Sequence, residues 1–69
     1  MPTFNGERLK QLREERFWMQ KELAKKLGVN KTQICRWERG VIPSPEYFRK
    51  LCKVFKVPRE TFLLEEVAK

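Results

Sequence analysis

Apolar residues recur along this chain at helical spacing. Leu9 and Leu12 stand three apart in a charged stretch closed by Phe17 and Trp18. Leu23, Ala24 and Leu27 form a second short stripe, Ile34 and Trp37 a third, and Phe48, Leu51, Cys52 and Phe55 a fourth. The punctuation fits the same reading. Asn5 suits the N-cap of a helix over 7–16 and Asn30 that of a helix over 31–39. Gly28 suits a left-handed C-terminal cap, and Gly40 ends the third stripe. Ser44 followed by Pro45 is a cap with proline at the first helical position. Val57-Pro58 then interrupts the fourth stripe, and Phe62, Leu63 and Leu64 predict a short fifth helix. No repeat, low-complexity run or linker is evident. The expectation is an all-α fold of five short helices in a single domain over 1–69.

Composition narrows what such a fold can do. The chain has 69 residues and a formal net charge of +7, with no His and no Asp. A domain this small has an economical core. The missing residue types remove Ser-His-Asp triads, histidine acid–base chemistry and His-containing zinc sites. No enzyme activity, cofactor or metal is therefore expected. The two thiols, Cys35 and Cys52, lack CxxC spacing and read as reduced cysteines of an intracellular, cytoplasmic protein. No apolar run approaches the roughly 18 residues needed to cross a bilayer, and the N-terminus lacks the plan of a signal peptide. A membrane is not an expected partner; a polyanion is.

The most informative segment is QKELAKKLGVNKTQICRWERG at 20–40. Two amphipathic stretches are joined by only Gly28, Val29 and Asn30, and Ala24 provides the small residue that two steeply crossing helices need. Gly28 permits a left-handed turn that a side chain would penalise. This is the helix-turn-helix plan, whose second helix enters the major groove of DNA. With Ile34 and Trp37 facing inward, Lys31, Thr32, Gln33, Arg36 and Arg39 point largely outward.

The chain resembles the XRE, or Cro/cI-like, helix-turn-helix domains of phage repressors and bacterial regulators. The resemblance rests on LKQLR at 9–13, Gln20, ELA at 22–24, LGV at 27–29, TQICRWERG at 32–40 and PS at 43–44. VFKV at 54–57 and Phe62-Leu63 extend it. It implies a lambda-repressor-like fold with base contacts from Lys31, Thr32 and Arg36, and Gln33 at the margin. Arg and Lys can donate to guanine, and a Thr methyl can touch thymine. It further implies a phosphate contact from Gln20, at a helix N-terminus suited to an anion; Asn30 and Arg39, at the ends of the reading helix, suit the same role. Arg13 and Glu38 match the family's internal ion pair. Trp18 and Trp37 read as core residues, and Cys52 stands where the family favours alanine. Two positions depart from the pattern. Phe17 replaces the glycine that often follows the first helix, and Met19 replaces the capping Ser or Thr, a loss of about 1 kcal/mol that burial of either side chain could offset.

The functional expectation is a sequence-specific regulator of double-stranded DNA, repressor-like and acting as a homodimer on a palindromic operator, if only once on DNA. Val41 and Ile42, or Leu64 and Val67, are candidate dimer surfaces, with Ile42 alternatively tucked into the core. A second reading is an antitoxin-like or coactivator-like module whose partner is another protein. The excess charge favours the first. Residues 20–40 hold six basic against two acidic side chains, whereas residues 57–69 hold two against three.

Overall fold

The computed structural model describes residues 3–64. Four α-helices run in order: α1, Gly6–Glu15; α2, Gln20–Leu27; α3, Lys31–Glu38; and α4, Pro45–Phe55. A 3-10 turn at Arg59–Phe62 follows. Two short strands, β1 at Thr3–Phe4 and β2 at Leu63–Leu64, pair antiparallel with Phe4 opposite Leu63.

The caps explain most of these boundaries. Asn5 Oδ1 accepts from the Arg8 amide at 3.0 Å at the start of α1. Asn30 Oδ1 accepts from the Gln33 amide at 3.2 Å at the start of α3. Gly28 ends α2 with φ +75°, and its amide bonds back to the Lys25 carbonyl. Ser44 occupies the N-cap of α4 with Pro45 behind it, but the serine side chain makes no capping bond. Lys56 closes α4 in the left-handed region at φ +57°.

The expected fifth helix is absent among the described residues. Pro58, with no amide hydrogen, begins a single 3-10 turn that places Phe62 in the core. The chain then straightens so that Leu63 and Leu64 pair with the N-terminal strand. The Asn5 amide donates to the Phe62 carbonyl at 2.6 Å and ties the entry of α1 to this closing segment.

Leu9, Leu23, Ile34 and Leu51 are fully buried and draw the four helices together. Phe4, an apolar residue outside every helical stripe, joins them and stacks on Phe62 with ring centroids 5.6 Å apart. Trp37 is buried as expected, while Trp18 is half-buried, its ring 5.5 Å from that of Phe55. A further close approach fixes α1 against α3. A Cβ on Gly6 would collide with the backbone carbonyls of Trp37 and Glu38, so glycine is what lets the start of α1 abut the end of α3. Among the described residues no helix is long and apolar enough to cross a membrane.

Candidate nucleic-acid interface

α2 and α3 form the expected two-helix unit, joined by Gly28, Val29 and Asn30. Its inner faces are locked by Leu23, Ala24 and Leu27 from α2 and by Ile34 and Trp37 from α3, all buried. The outer face of α3 is correspondingly fixed. Lys31, Thr32 and Arg36 are exposed, Gln33 is half-buried at the margin, and Arg39 is exposed one residue beyond the helix end. Among the described residues, no hydrogen bond within the protein engages the side chains of Lys31, Thr32, Arg36 or Arg39. A row of donors thus lies along a helix whose opposite side is anchored. Lys21 and Lys25 on α2 and Lys31 on α3 border a shallow depression beside this row, adding positive potential.

A buried polar network sets how α2 and α3 stand relative to α1. Arg13 Nε donates to Glu38 Oε2 at 2.6 Å and its Nη2 to Glu38 Oε1 at 3.3 Å, a two-pronged pair. Its remaining nitrogen, Nη1, donates to the Trp18 carbonyl at 2.7 Å. Gln20 Nε2 donates to Glu38 Oε1 at 2.9 Å. One carboxylate near the end of α3 therefore holds the end of α1, and the first residue of α2 directly. One arginine holds the turn between α1 and α2. The ionised side chains are almost fully shielded from solvent, 10% and 6% exposed, and no buried side-chain polar atom among the described residues is left unpaired.

Gln20 is thus anchored inward. Its amide nitrogen carries two hydrogens, and Glu38 takes one of them. Asn30 is similar, since its oxygen caps α3 and leaves its amide nitrogen to donate elsewhere. In the first turn of α2 the amides of Glu22 and Leu23 donate to the Met19 carbonyl, which leaves those of Gln20 and Lys21 as the other donors at this corner among the described residues.

Phe17 and Met19 are not buried. Phe17 is 92% exposed and adopts φ +58°, the left-handed region that explains why glycine is favoured here. Met19 is 63% exposed. The lost side-chain cap of α2 is offset differently, by Glu22, whose Oε1 accepts from the Met19 amide at 2.7 Å. Sequence reasoning missed the roles of Glu22 and Trp18 in framing this corner. Glu22 had a signal, being an acid three residues beyond the cap position. The Trp18 contribution is a backbone carbonyl and has none.

The candidate dimer residues Val41, Ile42 and Leu64 are exposed, so Ile42 is not tucked into the core. Val67 lies outside the described residues. Cys35 and Cys52 are both free and half-buried, and burial pushes the Cys52 thiol above its ordinary pKa.

Comparison with known proteins agrees with this geometry. The family model described as "Helix-turn-helix" matches residues 9–62. The chain belongs to the XRE type of that family, DNA-binding transcription regulators. It is similar to the structure of the master regulator for biofilm formation SinR in complex with DNA. That match has 36% identity and a TM-score of 0.71, covering 81% of this chain and 92% of that one. It is also similar to the solution structure of the N-terminal DNA-binding domain of SinR from Bacillus subtilis. There the identity is 35% and the TM-score 0.71, with 93% and 94% of the two chains covered. No curated protein matches the chain.

Proposed function

We propose that the protein is a sequence-specific regulator of double-stranded DNA, repressor-like, and that it acts as a homodimer on a palindromic operator. The observation that carries this reading is the donor-rich outer face of α3, exposed while Ile34 and Trp37 pin the opposite face to the core. The similarity to a SinR structure in complex with DNA supports it.

In this reading α3 enters the major groove. Arg36 and Lys31 donate to guanine edges, the Thr32 methyl meets thymine, and Gln33 works at the margin. Gln20, Asn30 and Arg39 hold backbone phosphates and set the register of the helix. For Gln20 and Asn30 the available donors are the amide hydrogens left over from their structural bonds. The Arg13–Glu38 pair is architectural, keeping the N-terminus of α2 and the end of α3 at a fixed separation. A single small module makes few base contacts. Two copies on half-sites about 34–36 Å apart double them.

A module that binds only another protein is less well supported, because such a module has no need of an outward row of donors on α3. Selection of binding sites from random duplexes at stated salt tests the proposal. A palindromic consensus is the expected result. Retention of every sequence alike, falling steeply with salt, would mean polyanion binding without readout.

A further inference from the structure

A large concavity on the described surface lies away from the outer face of α3. It is a groove of about 750 Å³ between α4, the loop before it and the closing strand. Its floor is apolar, with Ile42, Phe48 and Leu63 among the lining residues, and Ile42 is 55% exposed there. Its edge is basic, carrying Arg49, Lys53 and Arg59, all exposed. An apolar floor with a cationic edge fits a short segment that is both apolar and acidic.

The chain contains such a segment. Leu64, Glu65, Glu66 and Val67 place an acidic pair between two aliphatic residues, in the one region where acids outnumber bases. Leu64 itself is exposed. We propose that the groove of one copy receives residues 64–67 of a second copy, with the glutamates meeting Arg49, Lys53 and Arg59 and the aliphatic side chains covering the floor. This rests on the homodimer reading above and names the surface through which it forms.

Three observations support the second copy as occupant. The charges are complementary, an acidic pair against the basic edge formed by Arg49, Lys53 and Arg59. Leu63 lines the groove, but Leu64 pairs with Thr3, so the same chain would have to double back at once to refill its own groove. A second copy requires no reversal. Finally, the exchange is reciprocal, as a two-fold interface demands.

Sedimentation of the full chain provides the test, using wild type, E65K/E66K, R49E/K53E and the four-fold combination, each checked for helicity by circular dichroism. Wild type is expected to self-associate reversibly. Either reversal should weaken association at least about tenfold, equivalent to about 1.4 kcal/mol, and the combination should restore it. A wild-type dimer indifferent to both reversals, or a combination that stays weak, overturns the exchange while leaving the homodimer intact. A strict monomer whose melting temperature falls on E65K/E66K overturns it in favour of the chain's own tail. A strict monomer both free and on selected DNA removes the homodimer reading and this inference together.

Discussion

Arg13 Nε meets Glu38 Oε2 at 2.6 Å across 25 residues of sequence, and the same carboxylate accepts from Gln20. The pair sits where α1, α2 and α3 converge, nearly shielded from water. Arg13 also satisfies the Trp18 carbonyl. Its energetic value lies less in attraction than in the cost of stranding either charge. Burying ions is expensive, and the partner's loss leaves that expense uncompensated.

Glu38→Ala should therefore lower stability by about 3–5 kcal/mol. In a domain of this size each kcal/mol moves the melting temperature by about 4–8 °C. Thermal unfolding by circular dichroism reads this directly. A variant that melts like wild type would deny the pair its structural role.

Phe17→Gly should have the opposite sign. The left-handed conformation is unfavourable for a side-chain-bearing residue, and the ring gains little from burial at 92% exposure. Glycine removes the strain but adds freedom to the unfolded chain, leaving a net gain of about 1 kcal/mol. Urea unfolding measures it through the midpoint at constant slope. A lower midpoint would show that the ring makes contacts outweighing the strain.

Gly6→Ala should destabilise the fold by about 1–3 kcal/mol, as overpacking does where backbone has to move. The added methyl meets the carbonyls of Trp37 and Glu38, which cannot swing aside like a side chain. Because α3 must shift, affinity for selected DNA should fall as well. Unaltered unfolding and affinity would mean that α1 and α3 can separate freely.

These residues mark the limit of what the sequence reveals. Gly28, Asn30 and the stripes of α2 and α3 act through local rules of capping and periodicity, and they stand where those rules put them. The β1–β2 pair was not legible, since strands of two residues contain no period. Phe62, Leu63 and Leu64 offered only an apolar cluster compatible with a helix. The exposure of Phe17 was not legible either. An aromatic residue reads as core, but the backbone conformation required by the turn swings it into solvent. At the interface, the outward orientation of Lys31, Thr32 and Arg36 followed from the inward pair Ile34 and Trp37. The hold of Glu38 on Gln20 depends on tertiary placement and has no local signature.

Cys52 should be a slow nucleophile in the folded protein, because burial raises its pKa above the ordinary value, though Arg59 pulls the other way. The sign follows from the protons bound. Above the ordinary thiol pKa the unfolded chain ionises first, so this residue lowers stability as pH rises through that value. Iodoacetamide labelling at pH 8, followed by peptide mass analysis, should be several-fold slower in native protein than in urea. Equal rates would indicate a fully accessible thiol.

If α3 reads bases, Arg36 is the side chain whose loss shows it. Affinities of wild type and Arg36→Ala are compared on the selected duplex and on a scrambled one of equal length, at the same salt. A bidentate guanine contact predicts a loss of about 1–3 kcal/mol on the selected site and a much smaller loss on the scrambled one. Equal losses on both duplexes would contradict base readout by Arg36 and reduce its part to charge alone.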